Sequence, residues 1–199
     1  MSDGALTGES RGLLATIARQ AVVAAAKREP YAPAGEWIAG RLAEPGASFV
    51  TLRSAGELRG CIGSLAARRA LGVDVAETAR AAALSDRRFA PVAAHELARL
   101  TIELSLLTPP EPFAVGSRAA LLAALTPGVD GLVLEEHGHR ATFLPAVWTQ
   151  LPDPESFVLH LERKAGLAPG SWSAARRCFR YRSESIAVGP ALVGSGRSR

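Results

Sequence analysis

Ser48-Phe49-Val50-Thr51-Leu52-Arg53-Ser54-Ala55-Gly56-Glu57-Leu58-Arg59-Gly60-Cys61-Ile62-Gly63 reads as two strands folded back on each other. β-Branched and aromatic residues fill the first arm, Ser48 to Arg53, and Ser54-Ala55-Gly56 supplies a tight turn into the second, Glu57 to Gly63. Alternation assigns the faces. In a regular second strand Leu58, Gly60 and Ile62 point one way and Arg59, Cys61 and Gly63 the other, so the thiol and the guanidinium share a face. Two glycines inside a strand weaken it, because they add no packing and lose conformational entropy on folding. They fit where a ligand or a second backbone has to come close.

Working outward, the preceding segment has Ser10 as a helix cap and Leu13, Leu14, Ile17, Ala18, Ala21 and Val22 on one helical face, with a stop before Pro30. A short helix around Trp37 to Leu42 leads into the hairpin. Beyond it, Leu71, Val75, Ala79, Ala82 and Ala83 describe a second amphipathic helix that ends at Ser85-Asp86, followed by a loop through Pro91. The clearest strand comes next, with Ile102, Leu104 and Leu106 on the core face and Thr101, Glu103 and Ser105 opposite. Ser117 caps a short helix through Leu125, and Gly131 to Glu136 and Arg140 to Leu144 form another hairpin around His137-Gly138-His139. Asp153, Pro154 and Gly166 frame a helix carrying Phe157, Val158 and Leu161 inward, and Arg177 to Ile186 is expected as one final strand. Local hairpins without a βαβ series or an internal repeat indicate an α+β fold, an antiparallel-dominated sheet flanked by helices. One domain is expected over residues 10–186, with residues 1–9 a flexible N-terminus and 187–199 a mobile tail.

Bulk properties narrow the function classes. Hydrophobic residues make up 48% and charged residues 21% of the 199, which supports a buried core rather than a disordered chain. The formal charge is +4, but Arg197 and Arg199 in the tail carry two of those charges, so the folded part is too weakly basic to imply a nucleic-acid partner. No stretch approaches the ~20 apolar residues of a membrane span, and the Met1-Ser2-Asp3-Gly4 start lacks signal-peptide character, so a cytoplasmic protein without membrane association is expected. Cys61 and Cys178 stand far apart and without metal-ligand spacing, so both are expected as reduced thiols.

The residues themselves leave alternatives open. Cys61 is either a thiol lining a ligand site, with Arg59 favouring its thiolate, or a small core cysteine in a bulged strand. Asp86-Arg87-Arg88-Phe89 in its loop is either a ligand contact or an ion pair that holds the loop. Glu103 and Ser105 either line a cleft or face water. His137 and His139 with Glu135 and Glu136 look like metal ligands on paper, but they occupy a hairpin tip with no third ligand placed, so a solvated turn and no metal are expected. Arg176, Arg177, Arg180 and Arg182 with Phe179 and Tyr181 invite a single-strand nucleic-acid reading. Alternation sets Arg180 and Arg182 opposite the aromatics, so a solvated edge strand is expected instead. Glycine-rich phosphate loops, a Gly-x-Ser-x-Gly elbow and a recognisable Cys/His relay are missing, and no cofactor is expected.

Leu58-Arg59-Gly60-Cys61-Ile62-Gly63 resembles the LRGCIG signature of the AMMECR family, to which that hexapeptide is highly specific. Phe49 to Leu52, Asp86-x-Arg88-Phe89-x-Pro91, Leu100 to Leu107, Gly131-Leu132, Ala141 to Trp148 and Arg163 to Leu167 follow in family order, so the resemblance covers roughly residues 10–186. It is strongest to the bacterial branch called AmmeMemoRadiSam system protein A, in which Leu144-Pro145-Ala146-Val147-Trp148 usually reads Leu-Pro-Gln-Val-Trp. A polar role at that position therefore does not transfer to Ala146. The resemblance implies an AMMECR-like fold with a larger and a smaller sub-region meeting at a cleft, the hexapeptide on the larger one. It also implies a Memo-type protein and a radical-SAM enzyme as partners, and no defined reaction. It favours Cys61, Arg59 and Glu103 as the residues that act, with Gly60, Gly63, Ser64, Asp86 and Arg88 binding a ligand. Three functions stay open: an accessory or substrate-handling component of that pathway, a stand-alone enzyme with Cys61 as nucleophile, and a non-enzymatic module that binds protein or nucleic acid.

Overall fold

Ala55 and Gly56 take φ of 50° and 89°, the left-handed pair that a two-residue hairpin turn requires to match the twist of its strands. In the computed structural model, which describes residues 6–191, β1 (Pro45–Ser54) and β2 (Glu57–Gly63) pair antiparallel across this turn. Counted outward from the turn, Leu52 should oppose Arg59; its partner is Gly60, because Arg59 is an extra residue in a β-bulge. The slip has a physical reason. It aligns apolar Val50 and Leu52 with Ile62 and Gly60 on the core face and sets Thr51 opposite Cys61. It also corrects the regular alternation expected for β2, since Leu58 is 37% exposed instead of joining the core.

The first of two compact units comprises the chain up to Leu107 and from Glu184 onward. Its sheet runs β2-β1-β4-β9, with β4 at Leu100–Leu107, β9 at Ser183–Pro190 and the two-residue β3, Arg69–Ala70, pairing with the start of β1. Helices α1 (Gly8–Lys27) and α2 (Leu71–Leu84) bury Leu14, Ile17, Val75 and Ala79 in one core with Val50, Leu52, Ile102 and Leu104. The cap of α1 is Thr7, whose hydroxyl accepts from Ser10 N at 3.1 Å, rather than Ser10 itself. Gly8 and Glu9, expected in a flexible start, thus form its first turn. The short helix around Trp37 to Leu42 is two 3₁₀ turns, Gly35–Trp37 and Gly40–Leu42.

The second unit, Thr108–Ser183, has the sheet order β5-β8-β6-β7: Glu111–Pro112, Arg177–Tyr181, Gly131–Glu136 and His139–Phe143. Helices α3 (Arg118–Ala124) and α4 (Pro154–Ala165) pack on it, and the Trp148 and Phe157 rings stack at 3.8 Å. Helix α4 has the Asp153 cap, first-turn Pro154 and left-handed Gly166 that its sequence announces. The single strand expected over 177–186 is two strands of different sheets, and residues 187–190 continue β9. The remaining terminal residues, 1–5 and 192–199, lie outside the described part. Strand β8 is not a solvated edge either. It lies between β5 and β6, and the Arg176 side chain just before it is fully buried, bonded to Glu162 at 2.7 Å and Glu136 at 2.8 Å. The whole is an α+β protein.

Candidate functional site

One face of the first sheet is taken by the helices; the other carries polar rows set by register. Thr51 opposes Cys61 on one side and Glu103 on the other, and Phe49 opposes Gly63 and Ser105. The Cys61 amide points away from β1, so Thr51 and Cys61 form a non-hydrogen-bonded pair, the kind that brings side chains closest. The Thr51 hydroxyl accordingly donates to Cys61 Sγ at 3.4 Å. Cys61 itself is half-buried.

The outer edge of β2 is met by the loop after α2. Asp86 Oδ2 accepts from Cys61 N at 2.9 Å, and Arg88 Nη2 reaches Cys61 O at 3.5 Å, so an Asp–Arg pair contacts both backbone groups of one residue as a neighbouring strand would. The pair is internally tight: Arg88 donates through Nε, Nη2 and its backbone N to the same carboxylate at 3.0, 2.7 and 3.1 Å. Arg88 foremost, and then the Cys61 amide, hold the Asp86 carboxyl well below the usual carboxylate range. The same bonds push the Arg88 guanidinium upward.

Arg59, the bulged residue, makes a two-pronged pair with Glu96 at 2.7 and 3.0 Å, and Glu96 also accepts from Ala93 N at 2.8 Å. Arg59 lowers the Glu96 carboxyl below its ordinary range. The guanidinium expected to serve the Cys61 thiol is thus engaged by a carboxylate, and the cation that contacts Cys61, at its backbone carbonyl, is Arg88. Phe89 lies beneath both, 5.9 Å from Arg59 and 5.4 Å from Arg88. A Cβ on Gly60 would run into the carbonyl oxygen of Ala82 in α2, and one on Gly63 into the Phe49 ring and Ser48 O. The close approaches at both glycines are therefore made by the protein's own atoms. Ser64 donates its N–H to Ser48 O at 3.2 Å, and its hydroxyl accepts from Ala66 N at 3.1 Å.

Glu103 is exposed on the row of Cys61 but two strands away, about 10 Å at ordinary strand spacing, so it reaches the sulfur only through something placed between them. Thr51 and Glu96, which touch the sulfur and hold the bulge, were not among the residues singled out from sequence. Elsewhere, His139 Nδ1 lies 3.0 Å from Ala165 O, and among the described residues no cluster of three His, Cys, Asp or Glu is placed to hold a metal. Cys178 is buried in the second unit, and burial pushes its thiol up to about 11. Among the described residues no helix is long and apolar enough to cross a membrane.

Comparison with known proteins adds four findings. A family model described as AMMECR1 matches residues 15–186. A protein from Methanothermobacter thermautotrophicus is 40% identical over 138 residues, 68% of this chain and 72% of its own length. Protein MJ0810 from Methanocaldococcus jannaschii is 40% identical over 119 residues, 59% of each. The crystal structure of the uncharacterized protein PH0010 from Pyrococcus horikoshii has the same fold, with a TM-score of 0.81 at 28% identity over 90% of this chain and 92% of that one.

Proposed function

The chain belongs to the AMMECR1 family, and on that footing we propose that it is a cytoplasmic substrate-handling component acting with a Memo-type protein and a radical-SAM enzyme, with Cys61 as its contact thiol. The observation that carries this reading is the treatment of one residue. Asp86 and Arg88 engage both backbone groups of Cys61 while its side chain stays half-buried and hydroxyl-bonded on a polar sheet face. A thiol kept only for packing needs no such immobilisation. Reconstitution of the three proteins with Cys61→Ser is the test: loss of turnover with retained assembly is expected, and unchanged turnover removes Cys61 from the function.

A second reading, a free-standing enzyme with Cys61 as nucleophile and Glu103 as acid/base, draws on their shared cross-strand row. It requires a substrate long enough to bridge the row. Glu103→Gln would then abolish turnover by the isolated protein, whereas the substrate-handling reading expects the isolated protein to turn over nothing. The nucleic-acid alternative loses most of its motive, because Arg176 and Arg177 are paired with Glu162, Glu136 and Glu135.

A further inference from the structure

In the second unit, two cavities of about 400 and 350 Å³ flank the pairing of Glu111 with Arg180 and Pro112 with Phe179. Their chemistry differs. The larger is walled by half-buried Phe113, Val115 and Phe179, which turn aromatic and aliphatic surface toward solvent. The smaller is walled by Arg180 and Arg182. Arg180 joins the two, its guanidinium lying 4.5 Å above the Phe113 ring, with a carboxylate contact at 3.8 Å to buried Asp130. Arg182 is exposed and makes no ion pair among the described residues, while its backbone is clipped to Thr108 by bonds of 2.9 and 3.0 Å. Residues i and i+2 of an extended chain lie on one side, about 7 Å apart, a span that one oxyanion head can bridge with two guanidinium groups.

We propose that this seam binds a small amphiphilic anion, with its apolar body on Phe113 and Val115, which share the face of Arg180, and its carboxylate or phosphate head between Arg180 and Arg182. The inference is independent of the Cys61 reading. Glu111 lines the cationic end and faces Arg180 in register without pairing to it, so it opposes the anion and tunes the affinity downward. Aromatic contact holds the Arg180 plane before the ligand arrives, which lowers the ordering cost of binding.

Calorimetric titration with octanoate and octyl phosphate, set against acetate, inorganic phosphate and octylamine, tests the site, with amide NMR shifts at residues 111–115 and 176–182 to locate it. One of the two octyl anions should bind saturably and at least about tenfold more tightly than the bare anions, each apolar methylene adding to affinity. The tighter of the two identifies the head. Arg182→Gln, at an exposed position, should weaken it about three- to tenfold with an unchanged circular dichroism spectrum, and Glu111→Gln should strengthen it. Octylamine binding as tightly as octanoate, affinity indifferent to Arg182→Gln, or no saturable binding of either octyl anion overturns the proposal.

Discussion

Asp86 receives four hydrogen bonds, three from Arg88 and one from the Cys61 amide, while almost entirely shielded from solvent. A carboxylate so used is costly to replace: Asp86→Asn retains an acceptor for Cys61 but loses the charge that Arg88 needs. A loss of about 1–3 kcal/mol in urea unfolding is expected. The pH dependence has a definite direction. The folded-state pKa is depressed, so the stabilisation is fully present above the ordinary carboxylate value, about pH 4, and fades as pH falls below it. The gap between wild type and Asp86→Asn should therefore be wide at about pH 6 and narrower at about pH 3; a constant gap would mean the charge contributes nothing. Cysteine chemistry separates equally cleanly. In the native protein near neutral pH, iodoacetamide should alkylate Cys61 and spare Cys178, which is buried with its thiol raised to about 11. Peptide mass spectrometry reads the outcome, and prior modification of Cys178 would contradict the packing of the second unit. Cys61, Asp86 and Arg88 were legible as candidates because glycine flanks and a charged loop are local signals. Thr51 and Glu96 were not, because their roles depend on a register slip and on a partner 37 residues away.

Strands and helices with strong local punctuation were readable to within a residue or two, as the Asp153, Pro154 and Gly166 frame of α4 illustrates. The misread places are those where tertiary geometry overrides pattern. The bulge at Arg59 reconciles a two-residue turn with hydrophobic facing, and Arg182 interrupts what looks like one strand so that β8 and β9 enter different sheets. Each of three end strands then has a cationic side chain donating to its carbonyls: Arg88 to Cys61 O on β2, Arg19 to Val188 O and Pro190 O on β9, and Lys164 to Thr142 O on β7. Charge at such edges discourages pairing with another chain. Strand β2 and helix α2 meet closely at Gly60, where an added methyl meets backbone rather than a side chain that could turn aside. Gly60→Ala should cost about 1–3 kcal/mol through forced separation of strand and helix. A melting temperature equal to wild type would show that α2 can retreat, and that the glycine serves something other than close packing.

The two units differ in how the chain builds them. The second is one continuous segment, Thr108–Ser183, with its own sheet, two helices and a core around Leu132, Phe157 and Leu161. Its buried Arg176 and Glu162 satisfy each other, with Ser171 O and Gly170 N completing their bonds inside the same segment. No described hydrogen bond of that charged network has to be supplied from outside, so the excised segment should fold. The first unit is discontinuous. Val188 and Ala191 are buried in its core, Ala191 N donates to Leu100 O at 2.8 Å, and Arg19 in α1 finds its acceptors on β9. Truncation after Ser183 should therefore destabilise the first unit by several kcal/mol, since it removes two buried side chains and exposes the edge of β4. Two constructions decide the matter: residues 108–183 alone should melt cooperatively with dispersed amide resonances, and residues 1–183 should lose the first unit's transition while keeping the second's. If the truncated chain retained both transitions, β9 would be an ornament on a sheet already complete at β4; if the excised segment failed to fold, the division of the chain at Leu107 and Glu184 would be one of contacts and not of stability.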